Sequence, residues 1–534
     1  MGFIYLLLIA DIKPRVVFES ISYEIRSDTI IQDVVKEIFI PDKRLGSEYG
    51  FSEIVYDEGR DSVVIIDAET IIKNNSFKVT PNAINIVTPF EIEDYPEYSF
   101  MKKIVVSFLN IEDSSVLRIH YRVISKVDYI YEKIFFSSEI PVDKMVVILN
   151  PNDRNIKFRV KGDIVVKEKG NLIIFESDSL PPLKDEPFSP PKETYSSFIE
   201  FTDFDFKGLG NFFKKILIDD DTISIDEKKI QDLKKSDIED EFLRFKLRKK
   251  RDIIESGRGT SFERMKLLYS IYKDSCEIAV AYDSLLFNDD FPSIDFLGVL
   301  LKCGEYFRSP DYKSPSKEPF LYSGNIFLVF EKDTFEIKKI GEKRKRMIEE
   351  KISYNVLKSD IELEIKFDSI TGEHFNEYLN KNREWIEREI SGYLELKEMN
   401  FIKEKGLLKL KGKKELSKQG DFIFIPTQPL ILNSFNLPSY NFYKRENPLF
   451  IKNFVFSYLI RCYNFDGEPF FNDSFSFSDS LYKFDEWTEY KNNELIYHSN
   501  LEYIEGIIPL DGLERFKEFL SLSRFNKKFI ILKK

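Results

Sequence analysis

The polar and apolar positions change period along the chain. From about residue 15 to 190 the apolar residues fall in short runs rich in β-branched and aromatic side chains. The runs lie at 16–26, 30–41, 62–66, 68–72, 104–109, 116–123, 134–136 and 145–150, and several alternate with period two. Successive strand side chains point to opposite faces, so this alternation predicts half-buried strands. Pro41-Asp42, Glu58-Gly59, Asn74-Asn75 and Asp113-Ser114 supply the turns between them. Runs at 157–160, 163–167 and 172–176, with Lys169-Gly170-Asn171 between the last two, read as a closing meander. The regular spacing predicts an N-terminal β-sandwich over 15–195. Residues 177–195 are rich in Pro and Ser and form a linker or crossing segment that cannot be helical.

The period then lengthens. Residues 206–217 and 226–256 read as helices, the second dense in Lys, Asp and Glu at i,i+4 spacing. Next comes Gly257-Arg258-Gly259, a two-glycine turn too small for a phosphate loop, which runs into an amphipathic helix. Phe262, Met265, Tyr269 and Tyr272 recur at helical spacing, and Thr260 or Ser261 can cap the start by accepting from a free first-turn amide. Strands follow at 277–281, 297–303 and 326–331, giving an α+β unit over 200–335. Residues 336–355 read as helix or one long strand. Strands return at 361–367, 407–410, 421–426, 454–462 and 529–532, with helices at 373–389 and 511–522. This predicts a C-terminal β-rich domain over 340–534, and an α+β multidomain class for the whole.

At 534 residues the chain exceeds what one core supports, and two to four domains are expected. The 50 Phe and 27 Tyr favour pleated faces. A net charge of −12 argues against a nucleic-acid partner, which requires a basic face. The acidic runs Asp219-Asp220-Asp221, Glu239-Asp240-Glu241 and Asn288-Asp289-Asp290 lack the EF-hand spacing and read as solvated loops, so no metal or other cofactor is expected. Cys276, Cys303 and Cys462 are too few for a disulfide framework. They read as buried thiols, with a Cys276–Cys303 bridge the alternative. Residues 1–12 hold an apolar run too short to span a bilayer and similar to the apolar part of a secretory signal. On that reading the protein is exported, periplasmic or envelope-associated. If the run is a buried first strand, the protein is cytoplasmic. No integral membrane segment is expected.

Several stretches together resemble a bacterial family in which an N-terminal domain of unknown function precedes a transglutaminase-like core and a C-terminal β domain. Pro81-Asn82-Ala83-Ile84-Asn85-Ile86-Val87-Thr88-Pro89 with Tyr95-Pro96-Glu97-Tyr98-Ser99, and Lys103–Ser107 before Ser115–Tyr121, are similar to its first domain. Residues 257–268 look like its nucleophile turn and helix. Phe307-Arg308-Ser309-Pro310 looks like its Leu-Asp-Pro element, and Arg445-Glu446-Asn447-Pro448-Leu449 like its Arg-x-x-Pro-Leu. The resemblance implies a papain-like central core. In active members a Cys thiolate attacks an amide carbonyl, a His moves the proton and an Asp orients the His. Carried over position by position, the Cys place holds Ser261, the His place Gly298 and the Asp place Ser309. Glu263 matches an acidic residue of the helix, and no histidine lies between His120 and His374.

No catalytic residue is therefore expected. Thr260, Ser261, Glu263 and Asp311 are the cleft candidates, with Ser261 a helix cap, Glu263 a salt-bridge carboxylate and Asp311 an acid with no imidazole to orient. A serine nucleophile served by Lys266 or Lys302 is the sharper alternative. The aromatic alternation over 470–477 reads as a strand with one buried face, and a binding groove is its alternative. The expected function is a non-catalytic binding or scaffolding protein for a peptide, protein or cell-envelope polymer. The alternatives are a Cys- or Ser-dependent acyl transferase or protease with a displaced site, and a purely structural envelope protein.

Overall fold

The computed structural model describes residues 13–533 except 128, 185, 219–224, 312–314, 318, 320–321, 332–333, 344, 369–383, 385–386, 389, 392–393, 403–404, 428, 430–444, 446, 466, 470–473 and 524–528. The apolar run 1–12, His374, most of the expected helix at 373–389, Asp219-Asp220-Asp221 and the start of the aromatic stretch at 470 lie outside the described residues. The chain divides into two compact units. One comprises Met1–Asp185 with Lys192–Glu342, the other Glu186–Pro191 with Lys343–Lys534.

In the first unit an eight-stranded sheet runs in the order Val165–Lys169, Leu172–Leu180, Val142–Asn150, Arg15–Ile25, Thr29–Ile40, Ser115–Lys126, Asp61–Ile72, Asn75–Lys78. Neighbours are antiparallel except Arg15–Ile25 and Val142–Asn150, which pair in parallel. Two three-stranded sheets pack against it through separate cores. Ile54, Tyr56, Ile104 and Val106 of one meet Ile40, Leu117, Ile119 and Val123. Ile134, Ile199 and Phe201 of the other, formed by Tyr131–Phe135, Phe198–Thr202 and Lys157–Lys161, meet Val16, Tyr23, Val147 and Leu149.

The same unit holds a five-stranded antiparallel sheet, ordered Tyr306–Arg308, Gly298–Cys303, Glu277–Tyr282, Ile326–Phe330, Phe335–Lys339. Ile278, Val280 and Tyr282 face helices Phe206–Leu217 and Ser261–Tyr272, whereas Ala279 and Ala281 enter a second core with Leu300 and Phe327. Burial on both faces explains the unbroken apolar runs of the central strands.

The expected α+β class with a papain-like core does not hold. Strands dominate throughout, and the protein is a β-rich multidomain molecule. The charged stretch 226–256 is not one helix. It forms the short helices Glu227–Gln231 and Lys250–Ser256, with a two-residue strand, Lys234–Lys235, and irregular chain between them, where Arg244 and Phe245 take left-handed backbone (φ 51° and 55°). Such angles end a right-handed helix. The i,i+4 charge pairs misled because they carry no information about burial. The apolar residues that anchor this stretch, Ile230, Leu233, Ile238, Leu243 and Phe245, follow no helical stripe. Residues 336–355 likewise belong to two strands, Phe335–Lys339 and Arg346–Asn355.

The second unit centres on another eight-stranded sheet, ordered Glu395–Ile402, Leu407–Lys413, Asp360–Phe367, Arg346–Asn355, Phe454–Tyr463, Glu494–Tyr503, Tyr482–Lys491, Phe475–Ser478. Helix Leu513–Ser523 seats Phe516 and Phe519 on Tyr482 and Tyr503. The Pro-rich stretch contributes a crossing piece. Arg445 donates to the Pro187 carbonyl (2.7 Å) and the Ser189 hydroxyl (3.1 Å), and the Phe450 amide to the Phe188 carbonyl (2.7 Å). Phe475–Ser478 pairs with Tyr482–Lys491, and Phe475 and Phe477 are half-buried against the core.

Candidate functional site

The start of helix Ser261–Tyr272 is fixed by its own sequence. Gly257 closes the preceding helix in a left-handed conformation (φ 68°), which glycine adopts without a Cβ penalty. Thr260, not Ser261, is the cap. Its hydroxyl accepts from the Glu263 amide (3.2 Å), and the Glu263 carboxylate accepts from the Thr260 amide (3.2 Å). This reciprocal pair satisfies two donors that a helix start otherwise leaves open. The Thr260 hydroxyl also donates to Asp240, which accepts from the Phe262 amide (3.3 Å). Burial raises the Asp240 carboxyl to about 7, against the pull of these hydrogen bonds.

Glu263 is fully buried and occupied. Arg248 grips it through Nε (2.8 Å) and Nη2 (2.8 Å), the Arg248 amide adds a bond (3.1 Å), and the Tyr98 hydroxyl adds another (2.7 Å). The Arg248 guanidinium also lies 4.8 Å over the Tyr98 ring. Burial and the neighbouring carboxylate push the Tyr98 hydroxyl well above its ordinary value, so it remains a donor. With every lone pair engaged, Glu263 ties the helix start to the N-terminal half of the unit.

The three positions matched to a catalytic triad lie around this helix and the strand it packs against, Gly298–Cys303. Ser261 is half-buried, and no hydrogen bond to its hydroxyl is found among the described residues. A Cβ built on Gly298 would overlap the Tyr322 ring, so a tyrosine occupies the space an imidazole would need. Burial and the Asp311 charge push the Tyr322 hydroxyl up to about 12. Ser309 is buried and accepts from the Asp311 amide (3.2 Å). Asp311 pairs with Arg264 (2.6 Å), whose other nitrogen donates to the Pro310 carbonyl (2.8 Å). The lysines named as alternative bases are engaged: Lys266 donates to the Arg248 carbonyl (2.9 Å), and Lys302 pairs with Glu277 (3.4 Å). His120 is bonded to Asp33 within the first eight-stranded sheet, and His498 stacks on Trp487 (4.5 Å) in the second unit.

Cys276 and Cys303 are joined in a disulfide, so they are not the two free thiols first expected. The register accounts for it. Glu277 pairs with Lys302, which places Cys276 opposite Cys303, and their Cα atoms are 4.4 Å apart. Cys462 is the remaining cysteine; it is buried, and burial pushes its thiol far up. Among the described residues no group of three or more His, Cys, Asp or Glu side chains is placed to hold a metal. In the loops at 283 and 288 the acidic and amide groups cap turns: Asp283 accepts from the Leu285 amide (2.9 Å) and Asn288 from the Asp290 amide (2.8 Å). Nor, among those residues, is any helix long and apolar enough to cross a membrane.

Sequence reading missed Arg248, Tyr98, Arg264 and Tyr322. Tyr98 lies 165 residues from Glu263, a separation no local period encodes. The only signal for Arg264 and Asp311 was the presence of charge beside apolar anchors.

No protein-family profile matches the chain. No curated protein matches it. Among solved structures, one from Parabacteroides distasonis described as a putative protease aligns with it at a TM-score of 0.67 and 13% identity, covering 98% of this chain and 99% of that one. At that identity the likeness concerns the fold alone: over nearly its whole length the chain shares the architecture of that bacterial protein.

Proposed function

We propose that the protein is a non-catalytic binding or scaffolding protein that engages a peptide, a protein or a cell-envelope polymer, and that it performs no acyl transfer at Ser261. The observation that carries this reading is the environment of the helix start. A serine hydroxyl attacks a carbonyl only when a base within hydrogen-bond reach removes its proton. Around Ser261 the described ionisable groups are committed elsewhere: Arg264 to Asp311, Lys266 to a carbonyl, Glu263 to Arg248, and Asp240 to the Thr260 hydroxyl and the Phe262 amide. Tyr322 stands where any side chain at position 298 would have to go. The disulfide removes the two thiols of this unit as nucleophiles. It also favours an oxidising compartment, and with it export to the periplasm or envelope. The description of the similar structure as a putative protease is the basis of the competing reading, hydrolysis or acyl transfer at a displaced site.

The test is an incorporation assay with a primary-amine donor and a glutamine-containing acceptor peptide, run beside a peptide-hydrolysis assay. Turnover is expected at the buffer level for the native protein and for Ser261→Ala alike. Incorporation or cleavage that disappears on Ser261→Ala or Cys276→Ala would overturn the proposal.

A further inference from the structure

A cavity of about 500 Å³ lies in the first unit, and none of Ser261, Gly298 or Ser309 lines it. Its volume falls within the range of small-molecule sites. Tyr23, Ile30, Val123 and Tyr129 give it an apolar and aromatic wall. Its charged groups are unequal in what they already hold. Arg60 and Arg244 both bond Asp61, at 3.1 and 2.8 Å, and Arg244 also donates to the Val55 carbonyl (3.3 Å). Lys133 is shared by Glu193 (3.1 Å) and Asp295. Tyr23 accepts from Gln32 (2.8 Å), which leaves its own proton free to donate.

Glu132 is the exception. It sits in strand Tyr131–Phe135, where alternation places it on the same face as Ile134, a residue of the apolar core. It is half-buried and opens onto the cavity, and no hydrogen bond or ion pair reaches its carboxylate among the described residues. Glu241, on the cavity wall and exposed, likewise has no cationic partner. The lining carries Arg60, Arg244 and Lys133 against Glu132, Glu193, Glu241 and Asp295, with Asp61 behind the two arginines. The balance is negative, and the unspent hydrogen-bonding capacity is carboxylate. A half-buried carboxylate with no partner is a ready acceptor for a complementary charge-assisted donor.

We propose that this cavity binds a small organic cation of the primary-amine class, with the ammonium group donating to Glu132 and an apolar or aromatic body lying against Tyr23, Tyr129 and Ile30. Glu241 at the wall offers a second carboxylate to a ligand with another cationic end. The proposal is independent of whether Ser261 is catalytic.

Burial raises the Glu132 carboxyl to about 7, with Arg244 and Arg60 pulling it down and Asp61 pushing it up; Tyr23, Lys133, Glu193, Glu241 and Asp295 share the cavity. A cation binds the ionised form, so amine affinity should rise between about pH 6 and pH 8.

The experiment is calorimetric titration of the full chain with three probes of matched shape: 2-phenylethylamine, its neutral N-acetyl derivative and anionic 3-phenylpropionate. The amine should bind saturably and at least tenfold more tightly than the other two. Glu132→Gln should weaken it at least tenfold and abolish its pH dependence. Absence of saturable amine binding overturns the proposal. So does tighter binding of the acid or the amide, or unchanged amine affinity in a folded Glu132→Gln protein. If Glu132→Gln does not fold, the native probe series decides the matter: equal affinity for all three probes rejects it.

Discussion

Replacing Glu263 with alanine is expected to destabilise the first unit by about 3–5 kcal/mol, the usual cost of stranding one member of a buried ion pair. The side chain of Glu263 is fully shielded and that of Arg248 is 8% exposed, so the guanidinium would be left charged with little access to water. The same substitution removes the acceptor for the Tyr98 hydroxyl, the Arg248 amide and the Thr260 amide, and with it half of the capping box. Glu263→Gln should fall between wild type and alanine, because its carbonyl still accepts while its amide group opposes the guanidinium. Chemical denaturation followed by tyrosine fluorescence checks the order. A loss below about 1 kcal/mol for alanine would mean that Arg248 finds another partner and that Glu263 does not anchor the helix.

Removal of the Cys276–Cys303 bridge is the second large effect. The cysteines are 27 residues apart, and the chain-entropy relation for a loop of that length gives about 3.5 kcal/mol. The Ser261 helix packs on strand Gly298–Cys303, which pairs with Glu277–Tyr282, so the loss should appear in the same transition as that of Glu263→Ala. The Cys276→Ser/Cys303→Ser double variant and the native protein in reductant should melt at the same lowered temperature. A native melting curve unchanged by reductant would contradict the cross-link.

Local chemistry was the most legible part of the sequence. The turn at Gly257, the cap and apolar face of the following helix, and many short strands rest on near-neighbour patterns, and these the structure contains. The overall class was misread because a charge-dense segment looks helical by its i,i+4 pairs even when its apolar anchors follow no helical period. Arg244 and Phe245, held in left-handed backbone, mark where that pattern fails. The cysteine pairing was hidden by the loop between the two strands, which conceals the register that sets Cys276 opposite Cys303. Tyr98, Arg248 and Tyr322 reach the helix start, its carboxylate or Gly298 through tertiary packing alone. Glu132 looked like one more polar position in a strand. Its isolation depends on Arg60 and Arg244 both turning to Asp61, and no sequence period records that choice.

On the proposed non-catalytic reading, the chain presents no activated nucleophile. Intact-mass spectrometry of the native protein after exposure to a fluorophosphonate, and separately to a chloroacetamide, tests it most directly. The mass should stay unchanged with both reagents, with alkylation only after reduction and unfolding expose Cys276, Cys303 and Cys462. A stoichiometric adduct on native Ser261 that is lost in Ser261→Ala would contradict it.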